Sequence, residues 1–274
     1  ATISSQNIRT KNFDWSTDLT YAYTKTEITD VLSQANVIGL VYNSGSNIRT
    51  GYPHRSLFSI PFVGLNDEGI PQIINEKGEV TTTDINFQEY QNLGFLKYEG
   101  PTEPTMNGGL NNTLRYKNWR LNIFVTYSFG NKIRLDQVFS SSYSDMSAMP
   151  KEFKNRWVMP GDEKITTIPA IASVRQYYND TYLSYAYNAY NYSTARVADG
   201  GFIRLKDVSL TYDVPRSFLS KIGLSTASLK LDATNLCLLY ADDKLNGQDP
   251  EFVNSGGVAT PLSKQFTLTV RLGL

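Results

Sequence analysis

One cysteine and one histidine are all that 274 residues supply of two side chains common in metal sites and nucleophilic mechanisms. Cys237 has no partner for a disulfide within the chain, and with His54 alone beside it no Cys/His metal site can be assembled. A Ser-His-Asp or Cys-His mechanism would have to run through His54, in TGYPHRS, a Gly/Pro-flanked turn with no nucleophile motif around it. An enzyme is therefore not expected. Charge of one sign is missing too: Lys+Arg 26 against Asp+Glu 26 leaves net zero, without the basic excess of a nucleic-acid surface. No run of about 18 apolar residues marks a transmembrane helix. Membrane strands remain open, because their alternation hides in a mildly negative mean hydropathy. Ala1 opens without Met, a basic n-region or an apolar h-region, which reads either as a leader removed or as the tail of a longer chain. The polar opening ATISSQNIRT alternates weakly, like a strand already under way, and reads as the continuation of a longer chain.

What is plentiful is aromatic: 18 Tyr and 13 Phe suit either an interfacial girdle or a sugar- or peptide-contacting surface. The clearest pattern is the final stretch, SKQFTLTVRLGL. Phe266, Leu268, Val270, Leu272 and Leu274 share one face of an extended chain; Thr267, Thr269, Arg271 and Gly273 share the other. A lipid-facing barrel strand reads this way, as does an edge strand of a soluble β-sandwich. In the barrel reading this strand also carries the assembly signal.

Earlier segments repeat the pattern. Phe13 to Thr26 sets Phe13, Trp15, Leu19, Tyr21 and Tyr23 against Asp14, Ser16, Asp18 and Thr20. Val37 to Tyr52 is looser, with a turn cluster at 43–47. Leu57 to Gly64 is a short apolar strand that Pro61 demotes to an edge or bulge. The polar span 65–107 reads as loop. Leu110 to Tyr116 turns at Lys117-Asn118 into Trp119 to Phe129, where Trp119, Leu121, Ile123, Val125, Tyr127 and Phe129 alternate with Arg120, Asn122, Thr126 and Ser128. The excursion 131–199 holds a short helix near Lys151 to Trp157, a stop at Pro160-Gly161-Asp162 and a tyrosine-dense run from Tyr177 to Tyr192. In Phe202 to Asp213, Ile203 and Leu205 keep one phase while Val208, Leu210 and Tyr212 keep the other, which predicts a β-bulge at Lys206-Asp207. Arg216 to Ile222 predicts a helical turn, and Leu229 to Tyr240 a strand whose order degrades at Asn235.

Connection lengths between these strands alternate short and long. Outer-membrane barrels have short periplasmic turns and long extracellular loops, whereas a sandwich has no reason to gather its long loops at one end. The expected fold is therefore all-β: an antiparallel transmembrane β-barrel portion of roughly eight or nine strands, too few for the long loops unless the wall is larger.

Six stretches together resemble the SusC/RagA family of TonB-linked outer-membrane proteins. GYPHRSLFSIPFVGLNDEGIPQ (Gly51 to Gln72) is similar to its GYPxGSFYGYxxxGxDxxGxP segment. Gly94 to Ile133, with Pro104, Gly108-Gly109, Tyr116-Lys117-Asn118 and Ser128-Phe129-Gly130-Asn131-Lys132, resembles a family hairpin. Arg156-Trp157 with Pro160-Gly161-Asp162 resembles the family's RWtkPGD loop, and Ser193-Thr194, Asp199-Gly200 and Arg204 to Leu210 its ST…DGsylRLknVsL stretch. Asn235-Leu236 with Asp249-Pro250-Glu251, and Pro261 with the last strand, complete the series. Two places depart: Leu274 stands where the family ends in an aromatic, and His54 to Phe58 replace a small-residue pattern. The resemblance implies a barrel of about 22 strands, occluded by a plug, importing glycans or peptides with energy from TonB. Residues 1–274 would be the C-terminal segment of that barrel domain, without plug or TonB box. Implied partners are a SusD-like lipoprotein lid, TonB-ExbB-ExbD through the remainder of the protein, the barrel assembly machinery and membrane lipid, in the outer membrane of a Gram-negative bacterium. A soluble β-sandwich carbohydrate-binding module is the competing reading.

Candidate site residues follow. Tyr177, Tyr178, Tyr182 and Tyr185, in a predicted outer loop, offer aromatic faces with hydroxyls to a sugar or peptide; an interfacial girdle or packing under the lid would use the same residues. Asp242, Asp243, Asp249 and Glu251 with Asn246 have oxygen ligands of the kind calcium takes, at spacings that fit no EF-hand loop, and read as a solvated loop without a cofactor. Arg120, Arg204, Lys206, Lys230 and Arg271 should line a wet interior, paired with acids such as Asp207 and Asp232 or with the plug.

Overall fold

In the computed structural model, residues 1–33, 35–42, 48–139, 150–221, 223–253 and 262–273 are described. The turn cluster at 43–47, Ile222, Pro261 and Leu274 lie outside them. In chain order the elements are β1 (Thr2–Arg9), β2 (Phe13–Tyr23), α1 (Val37–Tyr42), β3 (Ser56–Ser59), β4 (Phe62–Leu65), β5 (Pro71–Ile74), β6 (Val80–Thr81) and β7 (Lys97–Pro101). Then come β8 (Met106–Tyr116), β9 (Trp119–Phe129), β10 (Lys132–Arg134), α2 (Val174–Asn179), α3 (Leu183–Asn191), β11 (Val197–Asp199), β12 (Phe202–Asp213), α4 (Arg216–Leu219), β13 (Thr226–Tyr240) and β14 (Gln265–Gly273).

Seven strands form one antiparallel meander in the order β1-β2-β8-β9-β12-β13-β14. The pattern predicts eight or nine, and the difference lies in two segments. Residues 37–42 form α1, started by the Asn36 side chain accepting the Gly39 N–H at 2.9 Å. Residues 57–64 break at Pro61, which has no N–H to offer a ladder, so β3 and β4 join different small sheets. The span 65–107, read as loop, contains β5, β6 and β7.

Register explains the alternation. Ile8, Trp15, Leu114, Leu121, Leu210, Leu231 and Leu268 are successive cross-strand neighbours, one apolar row across the whole sheet. Two residues away along the strands lies an aromatic row, Phe13, Tyr116, Trp119 and Tyr212, with the Trp119 and Tyr212 rings 4.6 Å apart. Toward the other end Tyr21, Gly108, Tyr127, Ile203 and Tyr240 make a second. Trp119 to Tyr127 is about 27 Å of extended chain, or roughly 21 Å along the normal at a barrel tilt of about 40°, close to the apolar band of a membrane barrel. Gly108 matters here: a Cβ would meet Thr20 O at 2.1 Å, and its absence lets Tyr127 reach across to donate to that carbonyl at 2.9 Å. Thr17 and Asn112 interrupt the apolar face, where Asn112 Oδ1 accepts from both Thr17 Oγ1 and the Trp15 indole, so these polar groups bond to one another. The opposite face carries Ser16, Thr113, Asn122, Ser209, Asp232 and Thr267 in one polar row.

The predicted bulge is present: the register of β12 shifts between Leu205 and Asp207 against both neighbours, with Lys206 the extra residue against β9 and with Asn235 and Leu236 opposite it on β13. Asn235 on β13 answers it with φ 55, which is where that strand's pattern degrades.

Because the meander is antiparallel, the connections at 10–12, 117–118 and 214–225 lie at one end and those at 24–105, 130–201 and 241–264 at the other. The long connections build a folded layer. The β9–β12 ladder continues into it as β10–β11, and around that ladder stand the β3–β7 and β4–β5–β6 sheets with α1, α2 and α3. Its apolar interior falls into three clusters, around Val37, Leu40, Phe58 and Ile60, around Phe139, Leu183 and Tyr190, and around Ile133 and Leu245.

Candidate functional site

Helical period sorts the tyrosine run. In α3, Leu183, Ala186, Tyr187 and Tyr190 fall at i, i+3, i+4 and i+7 and are buried against Phe139 and Val138. Tyr182 and Tyr185 take the other side, with rings 5.8 Å apart and exposed. Tyr178 on α2 is 84% exposed. Tyr177, expected to meet ligand, instead packs on the buried cluster with its ring 6.2 Å from Tyr187, and burial raises its hydroxyl pKa. Phe87, which no periodic signal marks, is half-buried with its ring 5.8 Å from Tyr185, so Tyr182, Tyr185 and Phe87 form one aromatic patch.

Two arginines, Arg134 half-buried and Arg196 buried, hold the layer together. Arg134 on β10 donates to Phe58 O at 2.6 Å, Ser193 O at 2.9 Å and Ser59 Oγ at 3.1 Å, tying β10 to β3 and to the segment after α3. Burial pulls its pKa down to about 10 against the opposing pull of Glu99. Arg196 pairs with Glu152 at 2.6 Å and lies over the Tyr190 ring. Burial pushes the Tyr190 hydroxyl up to about 12. Neither arginine announces itself in the sequence, because its partners are carbonyls and a carboxylate from distant loops.

Residues 156–170 form a braced projection. The Asp162 carboxylate accepts from the Val158 and Met159 N–H groups, and Glu163 accepts from the Trp157 indole at 3.1 Å and Gly161 N–H at 2.8 Å. Those bonds, with its own backbone N–H, hold the Glu163 carboxyl below the usual range. Trp157 lies against Gly69, where a Cβ would come within 2.5 Å of the indole.

The expected interior cations find partners, partly other ones. Lys230 meets Asp232 at 3.1 Å, but Arg120 pairs with Asp213 at 3.8 Å, and Arg204 with Asp249 at 2.6 Å and Glu251 at 3.1 Å. Lys206 and Arg271 make no ion pair among the described residues. The acidic run is thus not a solvated cluster. Asp249 is buried on Arg204, while Asp242 caps the turn at Asp243–Leu245 and accepts the Asp199 N–H at 2.7 Å. Among the described residues no group of three or more Cys, His, Asp or Glu side chains is placed to hold a metal. His54 lies exposed in a bend before β3. Phe266, Leu268, Val270 and Leu272 on β14 are all exposed on the face they share.

No family model matches the chain. Two curated proteins of Formosa agariphila do: TonB-dependent receptor P3, 25% identical over 91% of this chain, and TonB-dependent receptor P26, 27% identical over 93%. The chain spans about a quarter of their length, 24% and 25%. A solved structure of the RagAB peptide transporter superposes on 99% of the chain with TM-score 0.71 at 21% identity, and the RagAB peptide importer in a closed-closed state with TM-score 0.70 at 22%. In each the chain covers 28% of the solved chain. That likeness replaces the β-sandwich alternative with a barrel wall: the chain is a relative of the TonB-dependent receptors, and its seven-stranded sheet has the fold of part of a RagAB-type transporter barrel.

Proposed function

We propose that the chain is the C-terminal part of the wall and outer layer of an outer-membrane importer of large nutrients, energised through TonB and covered by a SusD-like lipoprotein. The observation that carries this is the sheet itself. Its apolar face is edged by two aromatic rows, its other face is polar, and every long connection leaves one end. A lipid-facing wall around a wet interior, with its recognition loops on one side of the membrane, has these properties. The relatives are named as receptors, and the solved neighbours as a peptide transporter and importer, which favours transport over catalysis. The patch of Tyr182 and Tyr185 backed by Phe87, with the exposed Tyr178 on α2, is the surface we assign to cargo, a peptide or glycan. Cells carrying the whole gene are to be offered fluorescent peptides and oligosaccharides, with and without a functional TonB. Uptake that depends on both the gene and TonB is expected; uptake unchanged when either is deleted removes the importer reading. Within that assay, Tyr182→Ala with Tyr185→Ala should weaken cargo binding about tenfold, at roughly 0.5–1.5 kcal/mol for each aromatic contact.

A further inference from the structure

The three short connections carry charge of one sign. Residues 10–12, 117–118 and 214–225 contain Lys11, Lys117, Arg216 and Lys221 and no Asp or Glu. On the strands beside the first two, Arg9, Asp14, Arg115 and Arg120 are successive cross-strand neighbours. Like charges directly opposite each other weaken a sheet, and Arg115 stands opposite Arg120. Asp213 offsets Arg120 at 3.8 Å, whereas Asp14, the one acid among these four, accepts from Gln6 at 2.8 Å. Arg9, Lys11, Arg115 and Lys117 make no ion pair among the described residues. At the other end of the sheet, Arg55, Lys97, Lys132 and Arg196 each meet a carboxylate.

Three of the unpaired cations converge. Lys11, Arg115 and Lys117, all exposed, line a concavity of about 190 Å³ with Thr10, Asn12 and Asp14 beside them. The Lys117 N–H donates to Asn12 O at 2.9 Å, which fixes the β1–β2 and β8–β9 turns side by side. This concavity adjoins the apolar face of the sheet. Lys117 Nζ stands 5.4 Å from the centre of the Tyr116 ring, and Tyr116 shares the aromatic row of that face with Phe13 and Trp119. Tyr116 and Trp119 are exposed. Such rows sit at headgroup level in a membrane, and Lys11 and Lys117 lie one or two residues beyond this one, roughly 3–7 Å of chain. That is where lipid phosphates are. Ammonium groups and a guanidinium suit a phosphate, which the guanidinium can hold through two hydrogen bonds, and the rings suit the start of an acyl chain.

We infer that the rim at the short turns binds the headgroup of an anionic phospholipid, with Lys11, Arg115 and Lys117 on its phosphate and Tyr116 and Trp119 against the glycerol and first methylenes. The inference rests on the sheet being a membrane wall and not on what the protein imports. An acidic stretch elsewhere in the protein would also satisfy the cations, but it would have no use for rings exposed on the apolar face beside them.

The test uses the intact outer-membrane protein of which this chain is part, delipidated in a neutral detergent. It is titrated with phosphatidylglycerol or phosphatidylcholine of matched chains, and bound lipid is counted by native mass spectrometry. At about fivefold for each cation near an anionic headgroup, phosphatidylglycerol should bind about tenfold or more tighter. The triple variant Lys11→Gln, Arg115→Gln, Lys117→Gln should erase that preference, while Lys154→Gln with Lys164→Gln, exposed on the folded layer, should keep it. Equal binding of the two lipids by the unaltered protein overturns the site, and needs no variant. A preference that survives the triple variant, or is lost in the layer variant, overturns it as well. Competition by inorganic phosphate as strong as by phosphatidylglycerol overturns the lipid assignment and leaves a small-anion site. Failure to retain either lipid would strike the membrane wall itself, and the site with it.

Discussion

Arg204 and Asp249 are 3% and 0% exposed, and their pairing at 2.6 and 2.8 Å joins the polar face of β12 to the loop that follows β13. Burying two charges costs desolvation that the pairing only offsets, so the pair fixes geometry more than it adds stability. Arg204→Ala leaves Asp249 charged and alone, at a cost of about 3–5 kcal/mol, whereas Arg204→Met with Asp249→Leu should cost much less. Unfolding of the intact protein, followed by its heat-dependent gel mobility, checks both; equal loss in single and double variants would mean the charges themselves stabilise. Tyr190 makes a second case. Its hydroxyl titrates at about 12 in the fold against an ordinary 10, so below pH 10 both states hold the proton and the contribution is fully present. Between pH 10 and 12 the unfolded chain loses its proton first, and stability falls by about 2–3 kcal/mol. Tyr190→Phe should lose less over that interval, read as the difference between the two unfolding curves.

For the strands, side matters more than composition. Val208 sits on the apolar face between Ile123 and Ala233, midway between the aromatic rows. Val208→Arg should cost about 2–4 kcal/mol, the midplane value for a barrel, while Thr269→Arg on the polar face of β14 should cost little. Assembled protein recovered from outer membranes measures the contrast; equal recovery would reverse the sidedness. Deleting Lys206 should be far milder than the first change, because Leu205 would then directly precede Asp207 and Ile203 and Leu205 would keep the apolar face opposite Tyr127 and Val125. Such elements were legible in the sequence because a two-residue period reports the wall directly, and its one phase slip located the bulge. The layer was not legible. Strands of two to five residues such as β6 and β7 leave no period to read, and their pairing depends on contacts like the parallel bridge of Ile60 with Ser193. The tyrosine run was legible by chemistry but not by side. Only the 3.6-residue spacing of Leu183, Tyr187 and Tyr190 separates packed rings from offered ones, and in a segment read as loop that spacing is not consulted.

At the scale of the molecule, the sheet sets a direction. Three short connections at one end and three long ones at the other make the two sides of a membrane unequal, and turns this short belong on the periplasmic side of such barrels. In the proposed reading the folded layer, with Tyr182 and Tyr185, then faces outward. Both edges of the sheet, β1 and β14, bear backbone groups that lipid cannot satisfy, so the wall must be completed by further strands before it can stand in a bilayer. The orientation can be read on living cells carrying the intact protein. With Cys237→Ser as background, the chain has no thiol, and single cysteines are introduced as Tyr182→Cys before α3 or Asn118→Cys in the β8–β9 turn. A membrane-impermeant maleimide should label the first on intact cells and the second only after the outer membrane is permeabilised. Labelling in the opposite order would place the layer in the periplasm, where its exposed tyrosines could not meet an incoming nutrient first.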